Sequence, residues 1–97
     1  MATIPSIDQL IGFARSVEGK PLVTLHRRKP FKVAVIGGSL EITPSTGTPR
    51  LTDRAHIGEL LSRLAKTGSY QPGKYVDVTF NASYVLALVK LWQSQPT

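Results

Sequence analysis

Cationic side chains concentrate in one part of the sequence where carboxylates are missing. Between Glu18 and Glu41 the chain has no acidic residue. The cations of that stretch are Lys20, Arg27, Arg28, Lys29 and Lys32. A turn carrying consecutive cations can place them beside successive phosphates, where arginine donates paired hydrogen bonds to the oxygens. The same residues also suit a solvated turn that keeps a strand edge from pairing with other chains.

Two further cations, Arg50 and Lys74, and two tyrosines, Tyr70 and Tyr75, are residues of the kind that contact nucleic acids. Arg50 follows residues 45–49, which contain hydroxyl side chains and a glycine. Such a segment can form a nest of backbone N–H groups that binds an anion. An ordinary hairpin turn is the simpler interpretation. Tyr70 and Tyr75 flank Lys74. Aromatics interleaved with a cation occur where bases stack on exposed rings. The competing interpretation is that these rings pack at the margin of the core with their hydroxyls in water.

The residue types that catalysis and metal binding require are sparse. The chain has no cysteine, two histidines and six carboxylates, which are distributed along its length. His26 and His56 do not form a convincing zinc ligand set with these residues, and no Gly-x-Ser-x-Gly turn is present. Asp53 and His56, three residues apart, are better interpreted as a helix cap plus a surface polar group. The sequence therefore predicts a protein without catalytic residues, metal or cofactor.

Length and composition predict a single globular domain over residues 1–97. Of the 97 residues, 41% are hydrophobic and 19% are charged, close to globular averages. The first ten residues lack the basic start and apolar run of a signal peptide, and no apolar run approaches the roughly 20 residues that span a bilayer. A cytoplasmic protein without a membrane partner is expected. The net charge of +6 favours a polyanion or an acidic protein surface as partner.

Hydrophobic periodicity predicts one helix followed by short strands. Ser6 and Gln9 form a capping-box pattern before a helix over residues 7–18, and Gly19 ends it. β-branched residues then predict strands at residues 22–26, 31–36 and 40–43, with a short edge strand at residues 50–51. Gly37 and Gly38 indicate a two-residue hairpin turn.

The second half of the chain predicts two more helices. The first is capped by Thr52 or Asp53, carries an apolar face from Ile57 to Ala65 and stops at Gly68. Residues 75–80 have strand character. The last helix is capped by Asn81 or Ser83, and residues 84–92 are apolar nearly all round. The fold class is therefore α+β, with an N-terminal helix, a three- to four-stranded antiparallel sheet and two C-terminal helices on one face.

The apolar residues of the last helix have two interpretations. Val85, Leu88 and Trp92 recur at helical spacing, and core packing is the first explanation of this stripe. The second is an interface, through which the chain forms a homodimer or binds a partner helix. In that case the interface residues are Tyr84, Leu88 and Trp92.

Several segments resemble small uncharacterised bacterial and mobile-element proteins. The similarity is carried by LVTLHRRKPF at residues 22–31, PSTGTPR at residues 44–50, TGS at residues 67–69, PGKY at residues 72–75 and ASYVLAL at residues 82–88. No activity is assigned to such proteins. The resemblance implies a prokaryotic or mobile-element source and transfers no catalytic residue to this chain.

Two functions from different classes fit this sequence. The first is a non-catalytic accessory protein that binds DNA or RNA through backbone phosphates, with little base selectivity. The second is a protein-binding adaptor or inhibitor module from a mobile element, whose cations contact an acidic partner. The first is favoured because the basic cluster is local and free of acids. The predicted nucleic-acid-binding residues are Lys20, Arg27, Arg28, Lys29, Lys32, Arg50 and Lys74, with Tyr70 and Tyr75 as stacking residues.

Overall fold

A computed structural model describes residues 3–45 and 47–95, which form an α+β fold as predicted. The helices are α1 (Ile7–Ser16), α2 (Arg54–Thr67) and α3 (Ala82–Gln93), and a short 3-10 helix spans Pro72–Tyr75. The strands are β1 (Leu22–Val23), β2 (Pro30–Ile36), β3 (Ser39–Pro44) and β4 (Arg50–Thr52). They form an antiparallel sheet in the order β1-β2-β3-β4.

The start of α1 is set by the predicted capping box. The Gln9 N–H donates to Ser6 Oγ at 3.1 Å, and the Ser6 N–H donates to Gln9 Oε1 at 2.9 Å. Leu10 and Ala14 are fully buried on the inner face of the helix. The helix ends at Ser16, slightly before the predicted boundary.

The central hairpin of the sheet matches the sequence pattern. Gly37 and Gly38 have φ angles of 56° and 86°, which glycine adopts without steric cost. Their turn pairs β2 with β3, so that Val33 lies opposite Ile42. Because side chains alternate between the two faces of a strand, one face of this hairpin enters the core. Its buried residues are Phe31, Val33, Leu40 and Ile42.

The first predicted strand is shorter than expected. Residues 22–26 were expected to be extended, but β1 ends at Val23 and residues 25–27 form a turn. The cause is Thr24, whose buried side chain closes the turn early. Its N–H donates to the Lys29 carbonyl at 3.1 Å, and its Oγ1 accepts from the Lys29 N–H at 3.0 Å. The basic turn therefore begins directly after Thr24.

Helix α2 begins and ends where the sequence predicts. Asp53 caps it by accepting from the His56 N–H at 2.9 Å, and Gly68 ends it with a φ of 67°. Ile57 and Leu60 are fully buried. Ala65, which the pattern placed on the apolar face, is exposed instead.

The strand predicted at residues 75–80 is wrong. The chain there forms the end of the 3-10 helix and a series of turns. The N–H groups of Val78 and Thr79 both donate to the Tyr75 carbonyl, at 2.8 and 2.9 Å. The apolar residues are therefore spaced for a compact turn, in which Tyr75 and Val78 are buried while Val76 is exposed.

Helix α3 forms the centre of the core, which explains its nearly continuous apolar surface. Val85, Leu86, Leu88 and Val89 are completely buried within the chain. The predicted interface role of Leu88 is therefore wrong, because its side chain has no exposed surface to offer a partner. Among the described residues, no helix has the length and hydropathy that crossing a membrane requires.

Candidate nucleic-acid interface

The turn between β1 and β2 forms one wall of a cleft of about 630 Å³. Residues 70–73, Phe80 and the first turns of α3 also line it. The cations that line the cleft are Arg27, Lys29 and Arg50, and its aromatic lining residues are Tyr70, Phe80 and Tyr84. No carboxylate of the described residues lines it. We call this feature the basic cleft.

The cationic wall is held in a defined conformation. The two hydrogen bonds between Thr24 and Lys29 close the turn at its base. At its tip, Arg28 has a φ of 54°, a left-handed conformation that is unfavourable for residues with a Cβ atom. Strained backbone of this kind persists where surrounding contacts impose it, and it occurs often at ligand sites. These contacts define the backbone that carries Arg27 and Lys29.

A hydrogen bond from His26 connects the basic turn to Tyr70. His26 Nε2 donates to the Tyr70 carbonyl at 3.1 Å. The Tyr70 hydroxyl accepts from Gln93 Nε2 at 2.8 Å, and the Lys90 ammonium lies 4.2 Å from the centre of the tyrosine ring. Tyr70 is thus half-buried, with one part of its ring already covered by a cation. It shapes the cleft more than it offers an open stacking surface.

The predicted cations divide into those of the cleft and those elsewhere. Arg27, Lys29 and Arg50 meet in the basic cleft, although Arg50 comes from a strand that is distant in sequence. The other four, Lys20, Arg28, Lys32 and Lys74, are exposed but do not line it. Lys32 alternates with the buried Phe31 and Val33, so it lies on the outer face of the sheet.

Carboxylates and cations pair on the α2 side of the molecule. Arg63 donates to both carboxylate oxygens of Asp77, at 2.7 and 2.9 Å, and Arg54 contacts Asp8 at 2.7 Å. The hydrogen bonds between Arg63 and Asp77 lower the pKa of the carboxyl and raise that of the guanidinium. Within residues 3–45 and 47–95, no ion pair engages a cation of the basic cleft. Those charges are therefore available to an anionic ligand.

The second predicted stacking residue is in the core. Tyr75 is completely buried, and its hydroxyl donates to the Ser69 carbonyl at 2.6 Å. The prediction that its ring stacks with a base is therefore wrong. Among the predicted interface residues, Tyr84 lines the cleft and contacts Phe31 edge to face at 5.1 Å. Trp92 is half-buried and packs against the core.

Phe80 is the lining residue that the sequence did not reveal. Its side chain is 86% exposed at the mouth of the cleft. The only sequence signal was a phenylalanine just before the polar Asn81, ahead of a helix. A strand at residues 75–80, which the sequence predicts, gives this ring no separate role.

The histidines have local structural partners. His56 Nδ1 lies 2.6 Å from Asp53 Oδ1, and the backbone and side-chain hydrogen bonds from His56 lower the pKa of that carboxyl. His26 Nε2 donates a hydrogen bond to the Tyr70 carbonyl. In the described part of the chain, no cluster of three or more His, Cys, Asp or Glu side chains could hold a metal ion.

Comparison of the chain with protein-family models, with curated proteins and with solved structures found no significant match. The function of the chain is therefore inferred from the geometry and charge of the basic cleft.

Proposed function

We propose that this chain is a non-catalytic nucleic-acid-binding accessory protein that holds backbone phosphates in the basic cleft. One observation carries the proposal: Arg27, Lys29 and Arg50 line a single cleft that no described carboxylate enters. Guanidinium and ammonium groups donate charge-assisted hydrogen bonds to phosphate oxygens. Contacts of this kind position a nucleic acid without reading its sequence.

The distribution of charge supports the same function. The chain carries a net charge of +6, and Asp8 and Asp77 are paired with Arg54 and Arg63 on the α2 side. Within the described chain, three unpaired cations, Arg27, Lys29 and Arg50, line the cleft, whereas Arg54 and Arg63 are neutralised by their partners. A concave surface lined by one sign of charge concentrates its field and attracts oppositely charged ligands.

The test is the salt dependence of binding to a fluorescein-labelled oligonucleotide, measured by fluorescence anisotropy. Each lost phosphate contact flattens the plot of log affinity against log salt by about 0.7 for single strands and about 0.9 for duplexes. Replacing Arg27, Lys29 and Arg50 together by Ala should flatten the slope for a single strand by roughly 2 units. Between 50 and 200 mM salt, the parent should therefore lose on the order of 20-fold more affinity than the variant.

A matched variant separates the cleft from general positive charge. Replacing Lys20, Lys32 and Lys74 by Ala removes the same charge from positions outside the cleft. This control should keep most of the slope and affinity of the parent. Equal effects of the two triple variants would mean that the basic cleft is not the binding site. A parent protein that binds no oligonucleotide at low salt would contradict the proposed function itself.

A second candidate function is a protein-binding adaptor or inhibitor module that contacts an acidic partner. It is favoured by Leu51 and Phe80, which are 60% and 86% exposed and lie together beside a smaller depression next to the cleft. Protein interfaces combine exposed apolar and aromatic residues with arginine. Competition decides between the two. Polyglutamate and unlabelled nucleic acid of equal charge are compared as competitors for the labelled oligonucleotide. Equal displacement would mean that the site recognises acidity alone, whereas weaker displacement by polyglutamate supports nucleic-acid binding.

A further inference from the structure

Phe80 is an exposed aromatic ring at the mouth of a site lined by cations. At 86% exposure it is the most exposed large hydrophobic side chain among the described residues. It lies between the basic cleft and a depression of about 360 Å³, and it lines both. The hydrophobic effect favours burial of such a ring. A ligand that covers it therefore gains apolar contact which the folded chain leaves unused.

The backbone on both sides of Phe80 is anchored, so its position is defined. Asn81 is buried, and its Nδ2 donates to Thr52 Oγ1 at 2.7 Å. The Asn81 N–H donates to Thr79 Oγ1 at 3.1 Å, and Val78 is buried two residues before the phenylalanine. The ring is thus mounted on a segment fixed to β4 and to the core. A ligand that binds this ring therefore need not order the backbone that carries it.

The remaining lining residues define what can lie against this ring. Tyr84 borders the cleft, half-buried, and the completely buried Leu86 contributes to its base. Arg27, Lys29 and Arg50 also line the cleft and supply positive charge. The volume of about 630 Å³ falls within the range of roughly 300–1,000 Å³ that is typical of small-molecule sites. A ligand with a flat ring and an adjacent anion matches this combination.

We propose that the basic cleft binds an unpaired nucleobase of single-stranded DNA or RNA, stacked on Phe80. Arg27, Lys29 and Arg50 then hold the flanking phosphates, so this inference rests on the proposed function. Bases inside a duplex are already stacked and cannot reach the ring unless they leave the helix. Every base has a π-face, so stacking of this kind tolerates any sequence. The cleft therefore selects single strands over duplexes.

The test compares one labelled sequence as single-stranded DNA, as single-stranded RNA and as a duplex. The parent should bind a single strand more tightly than the duplex, and the two single-stranded arms show which sugar is preferred. Phe80→Ala should weaken single-strand binding by about 10- to 100-fold, the effect of losing one stacking ring, and should change duplex binding little. Phe80→Tyr should retain the affinity. In a strand carrying 2-aminopurine, the quenching on binding should disappear in Phe80→Ala.

Val76→Ala is the matched control, because Val76 is also exposed on the same segment but does not line the basic cleft. It should bind like the parent. Circular dichroism should show that all variants are folded, as expected for changes to exposed side chains.

If Phe80→Ala binds single strands like the parent while the triple cation variant does not, base stacking is refuted and phosphate binding stands. Equal affinity of the parent for duplex and single strand also overturns the inference. If no nucleic acid binds, the proposed function fails as well.

Discussion

The left-handed conformation of Arg28 makes a measurable prediction about how the basic turn is built. Its φ of 54° brings Cβ close to the following carbonyl, at a cost of about 1–2 kcal/mol for a residue other than glycine. The side chain is exposed and forms no hydrogen bond or ion pair with the rest of the described chain. A substitution here should therefore change the backbone energy without removing a contact.

Arg28→Gly should stabilise the protein. It relieves the strain, while the greater freedom of glycine in the unfolded chain offsets about 0.4–1 kcal/mol of the gain. The net increase in the free energy of unfolding is on the order of 1 kcal/mol, which moves the midpoint of urea unfolding upward by roughly 0.3–1 M. Arg28→Ala removes the same side chain but keeps the strain, and it should stay within about 0.5 kcal/mol of the parent.

Urea unfolding followed by circular dichroism measures these differences, and Gly68 provides the reverse experiment. Gly68 has a φ of 67°, and open space surrounds the position where a Cβ would stand. Gly68→Ala therefore introduces strain without a clash and should destabilise by about 1 kcal/mol. If Arg28→Gly proves less stable than Arg28→Ala, the turn does not carry the strain described for it.

Two further predictions concern contacts that support the segment before α3 and the α2 side. Thr52→Val removes the acceptor of Asn81 Nδ2 and leaves a buried donor unsatisfied, so the free energy of unfolding should fall by about 1–3 kcal/mol in urea; an unchanged value would mean that this bond does not anchor the segment. The pKa of Asp77 is lowered below 3.8 by Arg63, so the ion pair stabilises above that pH and is lost as the pH falls through the lowered pKa. Thermal unfolding from pH 7 to pH 2 should therefore show a smaller acid-induced decrease in Asp77→Asn than in the parent, and identical decreases would contradict this role.

The parts of the fold that sequence predicted well depend on neighbouring residues. The capping box of α1 involves residues three apart, and the Gly37-Gly38 turn needs only two glycines with positive φ. The buried face of the β2–β3 hairpin follows from alternation alone. In each case the physical cause lies within a few residues, where a pattern can record it.

The errors arise where packing, or a hydrogen bond that belongs to no periodic pattern, decides the outcome. Tyr70 and Tyr75 flank the same short stretch, residues 71–74, but Tyr75 enters the core and donates to Ser69, while Tyr70 borders the cleft. Periodicity also could not show that the chain turns after Thr24, because the hydrogen bonds that close the turn involve Lys29. The cations of the turn are visible in the sequence because they are contiguous, and two of them, Arg27 and Lys29, line the cleft. Phe80 and the cleft required the packed structure, since their neighbours come from four separate segments.

Among the described residues, the cations of the basic cleft are distinguished by the absence of neighbouring carboxylates more than by their number. Arg54 and Arg63 carry the same charge as Arg27 and Arg50, but each lies within 3 Å of an aspartate oxygen. An ion pair of this kind must be broken or shared before its cation can hold a phosphate, whereas an unpaired cation loses only water and counterions. The two sides of the molecule thus differ in what an anion must displace. A polyanion approaching from solution should therefore bind Arg27 and Arg50 at a lower cost than Arg54 and Arg63.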